Sequence, residues 1–134
     1  MIIGIGIDIV NIERIGTIIK RYGDKFTERI FAPIEISNAA KNKRQAEYFA
    51  KRFAAKEACV KALGCGFGKC ATTKEIVIAS DSKGAPTIQL EGKALKTMQE
   101  KVPLGYREKL HLSLSDDNGN AVAMVLFEVT TLDV

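Results

Sequence analysis

The sequence has no tryptophan, a single histidine and only three cysteines, with no Cys-x-x-Cys pair among Cys59, Cys65 and Cys70. An odd number of cysteines argues against a disulfide framework, and one histidine provides too few ligands for a structural zinc site. We expect three reduced thiols and a cytoplasmic protein. The chain also lacks a recognisable nucleic-acid-binding motif, so we expect no nucleic-acid partner.

Long apolar runs are absent as well. The N-terminal segment Met1–Ile12 is apolar, but Asp8 interrupts it and it has no basic n-region. It therefore predicts neither a signal peptide nor a membrane span, and we expect no membrane contact. Apolar residues make up 46% of the 134 positions and no linker or repeat divides them. Residues 1–134 are therefore expected to form one domain, too short for a deep cleft unless subunits share a site.

The excess positive charge belongs to one segment. The net charge is +4, and residues 13–61 hold twelve Lys/Arg against six Asp/Glu, whereas the flanking segments are slightly acidic. This distribution favours an acidic partner or a phosphate ligand, although a solvated helical face would have the same composition. Charge alone leaves both interpretations open.

Hydrophobic periodicity and turn residues predict an α+β fold, with a small, mostly antiparallel sheet packed against one long helix and several shorter helices. Asn11 and Gly23 are expected to cap the first helix, and Gly64 to end the long one. The predicted strands are 2–9, 75–79, 86–90, 110–115 and 121–129, and the predicted helices are 12–22, 24–31, 33–40, 44–63 and 92–101.

Asp8 closes a strand face that otherwise contains only Gly4 and Gly6, since the isoleucines alternate onto the other face. Glycine in a strand indicates close approach of a ligand or of another backbone. A carboxylate beside such a bare surface could hold a hard cation next to a bulky ligand. A packed neighbour and a strand-end aspartate would explain the same pattern.

Two charged residues lie towards the apolar side of the long helix. Glu57 falls about 60° from the centre of the apolar stripe, and Lys56 lies near its middle. Buried charges need partners. An ordinary pair of Glu57 with Lys61 and an outward-pointing Lys56 would also satisfy the pattern.

The segment 110–116 alternates leucine with polar residues, so that His111, Ser113 and Ser115 share one face. These side chains could bind phosphate or sugar oxygens, or they could form the solvent face of an antiparallel sheet. The glycine-rich loop 64–68 could bind phosphate through its amides, but it follows a helix rather than preceding one.

Together these segments resemble the holo-acyl-carrier-protein synthase family, the short 4′-phosphopantetheinyl transferases. The matching motifs are Gly-Ile-Gly-Ile-Asp-Ile at 4–9, Phe-x-x-Lys-Glu-Ala-x-x-Lys at 53–61 and His-Leu-Ser-Leu-Ser at 111–115. Their order, spacing and the chain length suit that family. The resemblance implies Mg²⁺-dependent transfer of 4′-phosphopantetheine from coenzyme A to a serine of apo acyl carrier protein. It implies that this reaction supports fatty acid biosynthesis. It also implies a homotrimer with sites at subunit contacts.

The resemblance also implies residue roles. Asp8 and Glu57 would bind Mg²⁺ together with water and the coenzyme A pyrophosphate. Lys61 would assist catalysis with Glu57, and the coenzyme A contacts would come from Arg52, Lys56, Lys61, Gly64, His111 and Ser113. The acidic carrier protein would face Arg14, Arg21 and Lys25. The general base, the choice between Mg²⁺ and Mn²⁺ and the role of Asp116 stay open. A non-catalytic module that binds coenzyme A or carrier protein is the main alternative.

Overall fold

The computed structural model describes residues 1–133. The strands are β1 (Ile2–Asn11), β2 (Ile76–Ser80), β3 (Pro86–Leu90), β4 (Tyr106–Asp117) and β5 (Asn120–Thr131), and the helices are α1 (Ile12–Tyr22), α2 (Asp24–Ile30), α3 (Pro33–Ala40), α4 (Gln45–Leu63) and α5 (Gly92–Lys101). None of the helices in this part of the chain has the length and apolar character needed to cross a bilayer. The α+β class predicted from the sequence is confirmed.

The strands form two antiparallel sheets. One has the order β1-β5-β4 and the other is the hairpin β2-β3. Between β4 and β5, Asn118 and Gly119 have φ angles of 50° and 80°. A two-residue turn with both residues in the left-handed region matches the twist of the flanking strands and lets the pairing continue to the turn. Both strands therefore reach twelve residues, longer than the predicted 110–115 and 121–129.

Helix α4 lies at the centre of the molecule and packs against β1 and β5. Its buried residues surround the helix axis instead of forming the single predicted stripe. Where α4 meets β1, a Cβ placed on Gly4 would lie 2.0 Å from the carbonyl oxygen of Ala62, and one on Gly6 would lie 1.8 Å from that of Ala58. The two glycines are therefore explained by close packing of a helix, the second of the two interpretations above.

The opposite face of the three-stranded sheet is open in this single chain. Ile5, Ile7 and Ile9 of β1 are 58–64% exposed, and Met124 of β5 is 39% exposed. Because directly paired residues point to the same face, the register of Ile7 with Met124 makes these side chains one continuous apolar surface. We call Ile5, Ile7, Ile9 and Met124 the outer apolar face.

Candidate active site

Asp8 and Glu57 converge although 49 positions separate them in the sequence. Asp8 follows the glycines on the inner face of β1, and Glu57 projects from the middle of α4. Both line a cavity of about 310 Å³ between β1, α1, α2 and α4. Its remaining wall is mostly apolar and includes Ile15, Ile18, Phe26 and Phe53, with Arg14 also on the lining.

The environment of Glu57 disfavours its ionised form. Burial raises the pKa of Glu57, the negative charge of Asp8 raises it further, and the ammonium of Lys61 opposes the shift. A divalent cation between the two groups would relieve this repulsion. Within residues 1–133, no group of three or more His, Cys, Asp or Glu side chains is arranged to hold a metal ion. The pair nevertheless fits Mg²⁺, which commonly binds one or two carboxylates and completes its shell with water and substrate phosphate.

Lys61 lies beside the pair. Its Nζ donates to the carbonyl oxygen of Ile7 at 2.8 Å and lies 3.3 Å from Oδ1 of Asp8. The lysine side chain is 54% exposed, whereas that of Asp8 is 18% exposed. A cationic group is thus in position to meet an anion that enters beside the carboxylates.

Lys56, predicted as a phosphate contact, points elsewhere. Its side chain is fully buried, and its ammonium donates to Glu35 Oε1 at 2.7 Å and to the carbonyl oxygens of Thr73 at 2.8 Å and Ile76 at 2.5 Å. These contacts use all three ammonium protons. Neither an outward-pointing side chain nor a phosphate contact agrees with this geometry, and we assign Lys56 a structural role.

Arg52 lies about 140° around α4 from Glu57, on a different side of the helix. Its guanidinium stacks on the ring of Tyr48, 3.7 Å from the centroid. Its Nε is buried and has no hydrogen-bond partner among the described residues. With Arg44 and Lys51 it lines a second cavity of about 240 Å³. Glu47 also lines the cavity and pairs with Arg44 and Lys51, which leaves the unmatched Nε of Arg52 as the group suited to an anion.

Asp116 pairs with Lys51, one of the residues that line this second cavity. Its Oδ1 lies 2.6 Å from Nζ of Lys51, and that hydrogen bond lowers the pKa of Asp116. No sequence pattern predicted a role for Asp116, Lys51 or Arg44. The spacing of Tyr48 and Arg52 on one helical face is the signal that could have revealed this cluster.

His111 and Ser113 lie on the outer side of the three-stranded sheet. They pair with Leu126 and Met124 on the same face as the exposed isoleucines, whereas Asp8 pairs with Ala123 on the inner face. His111 Nε2 is 2.9 Å from Oε1 of Glu128. One chain therefore does not bring these two residues to the Asp8–Glu57 cavity.

Gly64 and the three predicted docking residues occupy the surface. Gly64 ends α4 in the left-handed conformation with φ 76°. Arg14 and Arg21 are exposed on α1, and Lys25 is exposed at the start of α2. Arg14 alone of these residues lines the carboxylate cavity.

The chain is similar in sequence and in fold to known proteins. The sequence model of the 4′-phosphopantetheinyl transferase superfamily matches residues 4–117. The holo-[acyl-carrier-protein] synthase of Zymomonas mobilis is 48% identical over 130 residues, covering 96% of this chain and 97% of that protein. The chain belongs to the 4′-phosphopantetheinyl transferase superfamily.

Solved structures agree with this assignment. The holo-[acyl-carrier-protein] synthase from Neisseria meningitidis superimposes with a TM-score of 0.85 at 35% identity, covering 96% of this chain and 99% of that one. The synthase from Helicobacter pylori, in complex with coenzyme A, gives a TM-score of 0.77 at 40% identity, with 92% and 99% covered.

Proposed function

We propose that this protein transfers 4′-phosphopantetheine from coenzyme A to a serine of apo acyl carrier protein and releases 3′,5′-ADP. The observation that carries the proposal is the convergence of the Asp8 and Glu57 carboxylates in one cavity, with the Lys61 ammonium beside them. The family membership supports it, as do relatives named for this reaction, one of them in complex with coenzyme A.

Asp8 and Glu57 would hold Mg²⁺, which would neutralise the charge of the coenzyme A pyrophosphate and orient it. The serine oxygen forms a bond to the β-phosphorus, and the bond from that phosphorus to the bridging oxygen breaks. The electron pair of this bond leaves with 3′,5′-ADP. Lys61 stabilises the negative charge that develops on the phosphate oxygens. Glu57, directly or through a water molecule, takes the proton of the serine hydroxyl.

The coenzyme A contacts predicted from the sequence are spread over several surfaces of the chain. Gly64 ends α4, Arg52 lines the second cavity with its unpaired Nε, and His111 and Ser113 lie on the outer side of the sheet. A ligand bound only at the Asp8–Glu57 cavity of one chain would not contact His111 or Ser113. We infer that the nucleotide crosses a subunit contact, with its phosphates shared between the carboxylate cavity and basic groups of a neighbouring copy.

A homotrimer supplies such a contact. Apolar side chains as exposed as the outer apolar face are costly in water and are typical of interaction surfaces. The polar stripe of His111 and Ser113 adjoins this face on β4. Covering the outer apolar face with a second copy would place that stripe at the interface, where it can complete the site of a neighbour.

The carrier protein would dock on α1 and α2. Arg14, Arg21 and Lys25 are exposed there, and Arg14 adjoins the cavity that holds the carboxylates. An acidic carrier would be attracted to this positive surface, which would bring its serine to the cavity. A role in fatty acid synthesis follows from such a partner. The three free thiols fit a cytoplasmic location.

The experiment that tests the function is direct. Purified protein is incubated with coenzyme A, Mg²⁺ and apo acyl carrier protein, and the carrier is weighed by intact-protein mass spectrometry. We expect the carrier to gain one phosphopantetheine group, and expect no gain when EDTA removes divalent cations. A carrier that stays unmodified, while coenzyme A binds, would instead favour the non-catalytic binding module.

A further inference from the structure

Lys61 connects two elements of the site. It reaches from the last turn of α4 to the second half of β1, where its ammonium contacts the Ile7 carbonyl oxygen at 2.8 Å and Asp8 Oδ1 at 3.3 Å. β1 is an edge strand of the sheet. The lysine thus ties the strand that carries one carboxylate to the helix that carries the other.

The charge balance of the site depends on this contact. Asp8 and Glu57 place two carboxylates at one cavity, and Lys61 is the cation in contact with Asp8 among the described residues. Its charge also favours the ionised form of Glu57. Arg14 lies on the lining of the same cavity but forms no ion pair with either carboxylate in residues 1–133. Lys61 therefore provides, at a carboxylate oxygen, the kind of charge that a divalent cation would provide.

The two partners differ in their freedom to move. The Lys61 side chain is 54% exposed, so its ammonium can move into water or onto a phosphate without a large loss of hydrogen bonds. Asp8, 18% exposed, is fixed by the strand pairing with β5. A cation that arrives at Asp8 would displace the lysine and leave the carboxylate in place.

We propose that Lys61 occupies the cation position of the metal-free protein and is displaced from Asp8 when a divalent cation binds. The inference rests on the proposed metal site. Lys61 is then a positioning residue for Asp8 before the cation arrives, and its ammonium becomes available to substrate phosphate afterwards. Cation binding and phosphate binding are coupled through this one side chain.

The test measures binding of Mn²⁺, a paramagnetic substitute for Mg²⁺, by electron paramagnetic resonance without coenzyme A. Because Lys61→Met removes a competing positive charge within a few ångströms, it should bind Mn²⁺ about fivefold more tightly than the unmodified protein. Lys61→Arg keeps the charge and should bind close to the unmodified protein. Lys20→Met is the matched control, because it removes one charge from an exposed position on α1 and should leave the affinity unchanged.

Two results would overturn the proposal. One rejects the role of Lys61 alone, and the other rejects the metal site as well. If Glu57→Gln abolishes Mn²⁺ binding while Lys61→Met, folded by circular dichroism, binds Mn²⁺ equally or more weakly than the unmodified protein, the role of Lys61 fails and the metal site stands. If the unmodified protein binds no Mn²⁺ either with or without coenzyme A, the metal site and the inference fail together.

Discussion

Lys56 and Glu35 form an ion pair in which both side chains are fully buried. The carboxylate also accepts hydrogen bonds from the amides of Ala32 at 2.7 Å and Ile78 at 3.0 Å. Burial lowers the pKa of Lys56, and the attraction of Glu35 opposes that change. The pair joins α3, α4 and β2, and Lys56 directly precedes Glu57 in the sequence. Its function is to hold the long helix in place rather than to meet substrate.

Removing one partner should therefore be costly. Lys56→Met leaves a buried carboxylate without its cation, and we expect a loss of about 3–5 kcal/mol in the free energy of unfolding, measured with urea. The double variant Lys56→Met/Glu35→Gln, which removes both charges, should recover part of this loss. Equal stability of Lys56→Met and the unmodified protein would show that the ion pair is not important for folding.

Packing between β1 and α4 determines where Asp8 lies. The strand approaches the helix so closely that a Cβ on Gly4 or Gly6 would collide with a backbone carbonyl oxygen of α4. Ala58 and Ala62 keep the helix surface flat at the contact. This close approach brings Asp8, two residues after Gly6, to the helix that carries Glu57.

Gly6→Ala tests this packing. The added methyl would lie 1.8 Å from the Ala58 carbonyl oxygen, so strand and helix must separate, and we expect at least about 2 kcal/mol of destabilisation with weaker divalent-cation binding. Gly66→Ala is the control, because nothing lies within 4 Å of its Cβ position. The explanation would be wrong if the two variants had the same unfolding midpoint in urea.

The order of the helices and strands could be predicted from the sequence, because each is marked by local signals such as the Asn11 cap and Gly64. The convergence of Asp8 with Glu57 was expected from the family resemblance and from two charges at unusual positions. The partner of Lys56 could not be predicted, since Glu35 is 21 positions away and has no distinguishing pattern. The burial of α4 around most of its circumference was missed because a single-stripe interpretation assumes one packing partner.

The whole molecule has an unusual sheet, in which the glycine side of β1 is covered and the isoleucine side is open. Ile5, Ile7 and Ile9 occupy every second position, which is the pattern of a strand with one buried face. Each is nevertheless more than half exposed in the single chain. The sequence pattern identifies which residues share a face but not which face is covered within one chain. The neighbouring copy that we propose on the outer apolar face would resolve this contradiction.

Ile7→Glu should break up the oligomer. Charges placed at the centre of an apolar interface lose hydration without gaining a partner. We therefore expect analytical ultracentrifugation to give mainly monomer for Ile7→Glu and a trimer for the unmodified protein. Ile34→Glu is the control, because Ile34 is 51% exposed on α3 and should leave the trimer intact. A monomeric unmodified protein, or a trimeric Ile7→Glu variant, would contradict the proposed interface.

In the proposed function, phosphopantetheine transfer requires the Asp8–Glu57 pair. The most direct test is the rate at which Glu57→Gln modifies apo acyl carrier protein with Mg²⁺ and coenzyme A, measured by intact mass alongside the unmodified protein, with circular dichroism to verify the fold. Losing one of the two proposed Mg²⁺ ligands should reduce the rate by about 100-fold or more. A folded Glu57→Gln protein that modifies the carrier at the unmodified rate would contradict the account.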